Sequence, residues 1–284
     1  PQRRRTRPAA PPAGETLDDR LISAAADALT GSRPVRIEAR VRNTDRTVGT
    51  RLGAEIAARH GRAGLPDDTV RVELRGSAGQ SLGAFLPPGI TITVTGDAND
   101  YVAKGLSGGR VVVRPDPTAH FAAHTQIIAG NTLLYGATSG EVFLRGRVGE
   151  RFAVRNSGAD AVCEGAGDHA CEYMTGGRVV ILGATGRNLA AGMSGGLAHV
   201  LDLAPVRVNR DSVHLTAVEP GDLEPLRKLL AAHRDRTGSP IAAALLVHWP
   251  CAAARFTTIL PVDYARVRAA EQRSEPATAG AGGG

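Results

Sequence analysis

A chain of 284 residues is long enough for one large domain or two small ones, and a fold of that size buries roughly three quarters of its extended surface, so its core needs no staples. Glycine numbers 35 and aromatics make up only 4%; there is no Gly-X-Y period, and the glycines punctuate short Val, Ile and Leu runs, which excludes collagen and a disordered glycine-rich chain and implies many turns and short strands. The net charge of +6 is carried mainly by arginine, part of it in Arg3, Arg4, Arg5 and Arg7, and with so few aromatics to stack bases that run reads as a solvated tail and not as a nucleic-acid arm.

Residues 1–15 are rich in Pro, Arg and Ala without periodicity and are expected to be a disordered linker. A helical lead-in segment is expected over 16–68. Thr16 can cap a helix, with Asp19 in a capping-box place and a stripe of Leu17, Leu21, Ala24, Ala25, Ala28 and Leu29 before Gly31. Val35 to Val41 alternates as a half-buried strand, and a second helix is expected from about Thr50 to His60, ending at Gly61.

Over 69–205 short β-rich runs recur, each bounded by glycine. Their starts are Thr69, Ile90, Arg110, Thr125, Glu141, Asp160, Arg178 and Leu197, spaced 15 to 21 residues apart. A period near 20 is a solenoid signature, and each unit is too short for a helical crossover. The expected fold is therefore mainly β: a single-stranded right-handed parallel β-helix with short α-helices flanking both ends. Over 206–268 helices return. Asp222 is expected to cap one running through Leu226, Leu229 and Leu230 until Gly238 breaks it, and Ser239 to cap another with Pro240 at its first position. Residues 269–284 are expected to be a disordered tail.

Several motifs imitate active sites. Gly105 to Gly109 and Gly192 to Gly196 both match G-x-S-x-G, but a nucleophile elbow must open a helix and here a strand-like run follows. Thr175-Gly176-Gly177 holds the same place before a third run, so all three read as corners of one repeat. Gly165 to Ala170 matches G-x-G-x-x-A, but Gly176 and Gly177 would break the helix a dinucleotide needs. Asp168, His169, Cys171 and Glu172 cluster without the spacing of a zinc site and read as a polar corner with a buried thiol. His60, His124 and His248 have no partners by spacing. Asn99, Asn131, Asn156 and Asn188 sit beside glycines at corners and are expected to form polar ladders. Glu141, Asp160 and Glu164 would support a β-helix enzyme if one cleft held all three. Cys163, Cys171 and Cys251 are no disulfide framework and fit a reducing, cytoplasmic setting. No apolar run approaches the ~20 residues of a membrane span, no signal-peptide pattern opens the chain, and Pro1 in place of Met reads as the start of a piece of a longer polypeptide.

The runs Gly76 to Gly89, Gly96 to Pro115, Gly130 to Gly146, Gly149 to Val162, Gly167 to Gly177 and Gly186 to Asp202 together resemble the C-terminal glycine-repeat (GXGXG) domain of the glutamate synthase large subunit. Asn43 to Thr50 resembles the segment before that domain, and Phe256 to Tyr264 its closing segment. A related domain occurs in formylmethanofuran dehydrogenases, but these flanks favour glutamate synthase. Ala103 and Ala170 stand where glycine is expected, Val148 for alanine, Cys163 for valine, and Pro250 and Cys251 in place of a polar stretch, which reads as repacked corners and core. The resemblance implies a reaction of glutamine, 2-oxoglutarate and reduced nicotinamide or ferredoxin giving two glutamates. It places the nucleophile, the FMN and the iron–sulfur cluster in other domains, so no catalytic, cofactor-binding or metal residue is carried onto this chain. The expected role is a scaffold holding the amidotransferase and FMN-binding domains, with the small subunit as a further partner and neither nucleic acid nor membrane. A separately encoded subunit and an independent β-helix enzyme or binding module are the alternatives.

Overall fold

The computed structural model describes residues 14–31, 33–249 and 251–274; the arginine-rich start, Pro250 and the tail from residue 275 lie outside the described residues. Twelve strands follow in chain order: β1 (Val35–Val41), β2 (Val70–Ala78), β3 (Ile90–Ala98), β4 (Ser107–Arg114), β5 (Ile127–Ala129), β6 (Ser139–Leu144), β7 (Arg147–Val148), β8 (Ser157–Cys163), β9 (Thr175–Ile181), β10 (Gly195–Leu201), β11 (Val213–Ala217) and β12 (Phe256–Pro261). The helices are α1 (Leu17–Ala24), α2 (Ala26–Leu29), α3 (Thr50–His60), α4 (Pro220–Thr237), α5 (Pro240–Val247) and α6 (Val262–Ser274). The last of these extends through positions 269–274, which the sequence assigned to the tail.

The expected single-stranded right-handed parallel β-helix is corrected by the strand pairing. All twelve strands belong to one open sheet: ten follow the order β1-β2-β3-β4-β6-β8-β9-β10-β12-β11, a path that does not close on itself, and β5 branches from β3 and pairs with β7. It is parallel from β1 to β10 and ends on the antiparallel strands β12 and β11. With helices on the sheet, the fold is mixed α/β. The glycine-bounded runs correctly mark the strands, but a repeat length alone says nothing about how the connections between strands are built.

Those connections are tight turns, and six of them share one backbone signature. Three alternate residues in each have φ near +60°, as in Tyr101, Ala103 and Gly105, or His169, Cys171 and Tyr173. The turns stack. In the first five the outer two N–H groups donate forward and the middle one backward, as when Arg151 donates to Asp168 O, Arg155 to Glu172 O and Ala153 to Leu133 O, and in the sixth Ala190 donates back to Ala170 O. Left-handed residues such as Leu134 and Arg151 are unfavourable alone, but here hydrogen bonds on both sides hold them. Gly96 shows why glycine recurs at strand ends. It lies opposite Gly76 with φ +146°, and a Cβ there would stand 2.0 Å from Gly76 O.

One face of the sheet packs on the turns and on α1 to α3, in a core that includes Val72, Leu74, Ile92, Val111, Leu133 and Val179. Thr16 caps α1 through the expected capping box. Asp18, buried within α1, reaches across to α3 and accepts from Gly49 N and Arg51 N, each at 2.7 Å, so it caps a helix whose own N-cap is glycine. The other face packs on α4 and α5, with Val112, Phe143, Val162 and Val180 against Leu226, Leu229, Leu230 and Leu245. Helix α4 begins at Pro220, ahead of the expected Asp222 cap, because proline at the first helical position loses no hydrogen bond. Gly238 ends it at φ +71°, and Ser239 caps α5 as expected. From the sheet, Arg114 and Arg145 donate to the Arg236 and Thr237 carbonyls, which places two cations at the negative end of α4.

Candidate binding surface on the outer sheet face

Side chains alternate across a strand, and the parallel register lines up every second residue into rows across the face that carries α4 and α5. One row runs Arg36, Arg71, Thr91, Arg110, Glu141, Asp160, Arg178. The next runs Glu38, Glu73, Thr93, Val112, Phe143, Val162, Val180, His199. A third begins Arg40, Arg75, Thr95, Arg114. The middle row is apolar where the helices lie and charged where they do not.

Beneath the helices the polar groups are few, and both His233 ring nitrogens and His199 Nε2 are buried without a hydrogen-bond partner among the described residues. Glu164, 2% exposed, accepts a hydrogen bond from Ser239 Oγ at the start of α5. His233 Nε2 of α4 lies 3.6 Å from Glu164 Oε1, beyond hydrogen-bond length, and burial pushes the ring's pKa down against the pull of that carboxylate. His199 is fully buried with Nδ1 3.0 Å from Thr258 Oγ1, and burial lowers its pKa to about 4. At the margin Arg110 lies 2.5 Å from Glu141 and 3.2 Å from Asp68, and Arg178 lies 3.4 Å from Asp160. Burial raises the Asp160 pKa, Arg178 opposes that, and the neighbouring Glu141 charge adds to it.

Over β1 and β2 the face is exposed at Arg36, Glu38, Arg40, Arg71 and Arg75, whereas Thr91 and Thr93 of β3 and Val112 of β4 are buried. A groove of about 570 Å³ is lined there by Arg20, Arg36, Glu38, Arg40, Glu73, Arg75, Thr95 and Arg114. A second polar pocket of about 450 Å³ lies between the glycine-rich strand starts and α6, where Arg268 is paired with Asp222 at 2.8 Å and Glu219 at 3.1 Å.

The residues singled out from sequence are mostly engaged within the fold. Ser107 opens β4, and its hydroxyl donates to Leu86 O at 3.3 Å; Thr175 opens β9 and Ser194 immediately precedes β10. Ser157 repeats that contact on Ala137 O at 3.1 Å, so the corner position holds hydroxyls that tie one turn to the next. Gly165 to Ala170 leads into a turn, with Ala166 bridged to Val148 and Thr185, and no helix opens there. Asp168 accepts from Arg187 N and Nε, both at 2.8 Å, His169 Nδ1 is 3.0 Å from Asn188, Glu172 is 3.9 Å from His169, and Cys171 is fully buried. Among the described residues no three His, Cys, Asp or Glu side chains converge on a metal position. His60 Nε2 meets Leu29 O at 2.9 Å, while His124 and His248 are exposed.

Asn131 accepts from Glu150 N, its own N–H bonds to Asp100, and Asn188 accepts from Asn209, giving ladders from turn to turn. Asn99 bonds to Asp100 N, and buried Asn156 accepts from Ala159 N and donates to Ala159 O. Glu141 and Asp160 are opposite each other, but Glu164 is apart from them under α5, so one cleft does not hold the three. Sequence reasoning missed the Glu164–Ser239 contact, which joins positions 75 apart, and the arginine row, which the repeat spacing could have revealed had the strands been aligned on it.

A family model described as GXGXG motif matches residues 18–262. The chain is 50% identical over 255 residues to "Glutamate synthase [NADH]" of Schizosaccharomyces pombe, covering 88% of this chain and 12% of that protein. It is 42% identical to "Glutamate synthase [NADPH] large chain" of Bacillus subtilis, covering 90% of this chain and 17% of that one. To "Ferredoxin-dependent glutamate synthase, chloroplastic" of Spinacia oleracea it is 45% identical, covering 87% and 16%. The chain thus spans 12 to 17% of the length of these relatives.

Proposed function

The chain belongs to the GXGXG motif family found in glutamate synthase large subunits, and from that premise we propose that it serves as a scaffold within such an enzyme, holding the glutaminase and FMN-binding domains without catalytic residues of its own. The observation that carries this reading is the internal use of its reactive groups. The corner hydroxyls bond to backbone carbonyls, Glu141 and Asp160 are paired with arginines, and Glu164 is buried against Ser239. A rigid sheet with stacked turns suits an enzyme whose separate sites must be held at fixed distance.

The cysteines do not suit an iron–sulfur cluster. Cys163 and Cys171 are fully buried while Cys251 is exposed, and among the described residues the three thiols do not converge as cluster ligands would. Flavin and cluster therefore belong to partner domains in this proposal, and no step of the reaction is assigned here. The sparse cysteines also support a reducing compartment, and the cytoplasm is the proposed location. Purified chain, mixed with glutamine, 2-oxoglutarate and a reductant, should form no glutamate. Turnover by this chain alone would sink the scaffold reading.

A further inference from the structure

We propose that the charged groove over β1 to β4 is a docking surface for a polypeptide segment of mixed charge, whose carboxylates meet Arg40, Arg75 and Arg114 and whose basic side chains meet Glu38 and Glu73. The proposal rests on the functional reading above, in which most of the polypeptide lies outside this chain. The register places Arg40 directly opposite Arg75, and Glu38 directly opposite Glu73. Like charges in that relation repel. From β4 to β9 the same face is neutralised across strands, as Arg110 with Glu141 and Asp160 with Arg178. Among the described residues Arg40, Arg75 and Glu73 have no ion-pair partner, whereas Glu38 is 3.4 Å from the exposed Arg36, and the nearby carboxylate of Asp116 accepts from Thr118 N and Oγ1. Arg114 uses Nη1 on the α4 carbonyl while its Nε is buried without a partner.

The shape and sign pattern select the occupant. Helices α4 and α5 cover the face from β4 onward, so the groove is where that layer stops. The arginines are spread over four adjacent strands, roughly 14 Å at ordinary strand spacing, which exceeds the reach of a small dicarboxylate. Glu38 and Glu73 sit on the same face two residues from Arg40 and Arg75 and would repel a compact polyanion. A protein segment carrying both signs satisfies both sets. With relatives six to eight times longer than the matched span, such a segment has an obvious source in the remaining domains.

Arginine footprinting tests this. The full-length polypeptide bearing this chain, and the 284-residue chain by itself, are treated with phenylglyoxal and modification is read by mass spectrometry. Arg40 and Arg75 should react at least about tenfold more slowly in the full-length protein, with the exposed Arg62 unchanged. The double variant Arg40→Glu/Arg75→Glu, in full-length protein with an unchanged circular dichroism spectrum, should expose Arg114 by a similar factor. Equal rates at Arg40 and Arg75 in the two proteins overturn the proposal, as does an unaltered Arg114. Protection of the isolated chain by millimolar citrate, with none in the full-length protein, also overturns it in favour of a small-anion site. Glutamate formation by the full-length protein is assayed alongside: its absence defeats the functional reading, while the footprint alone judges the docking surface.

Discussion

Acidification should weaken this fold through His199, by an amount that the structure permits to be worked out. The ring is fully buried where β10 meets β12, with Thr258 Oγ1 on Nδ1 and no partner on Nε2. Burial sets its pKa at about 4 against an ordinary 6.5, with Asp222 pulling it up and Arg178 and Arg268 pushing it down. The folded state therefore binds the proton less well than the unfolded chain does. Stability is complete above the ordinary value and is lost as pH falls from 6.5 towards 4. The shift corresponds to about 3 kcal/mol in all, of which about 2 kcal/mol disappears between pH 7 and pH 5. Urea denaturation followed by far-ultraviolet circular dichroism at both pH values should show this loss. In His199→Gln, which keeps a hydrogen-bonding group but cannot titrate, the pH-dependent loss should shrink by about 2 kcal/mol. An identical loss in both proteins refutes the reasoning.

Other perturbations separate the layers of the fold. Gly96→Ala drives a Cβ into Gly76 O at φ +146° and should cost about 3 kcal/mol or more in chemical denaturation, whereas Gly221→Ala, in the first turn of α4 with open space around it, should be neutral or stabilising by up to about 1 kcal/mol. Glu164→Ala removes the acceptor beneath Ser239 and should cost about 3 kcal/mol, with faster amide exchange across α5 than across β8. Asp18→Ala strips the cap from α3 and should cost about 2 kcal/mol while leaving exchange in α4 unchanged.

Local structure was legible wherever one residue dictates it. Thr16 with Asp19, Ser239 with Pro240, and Gly238 each fix a helix end by chemistry confined to a few neighbours. The β-branched runs place the strands for the same reason. Sheet closure and the turn conformation were not legible, because both depend on partners about a repeat away. Leu134 and His169 adopt left-handed backbone against their own preference, held by bonds from adjacent turns. The candidate surface was half legible. Arg40, Arg75 and Arg114 are ordinary charges in sequence, and only the register that brings Arg40 against Arg75 gives them meaning.

The alternating turns also constrain how this chain can change length. The N–H groups that reach neighbouring turns belong to every second residue, while intervening ones such as Val154 N bond within the turn, so one added or missing residue moves every residue after it in that turn out of its bonding position. Bonds to both neighbouring turns would then fail together, and the strand that follows would present its wrong face to the core. Removing a whole strand with its turn leaves neighbours of the same shape to join. Insertions and deletions in this region should therefore be tolerated only as entire rungs, so that the span between its two helical ends varies in steps of one strand spacing.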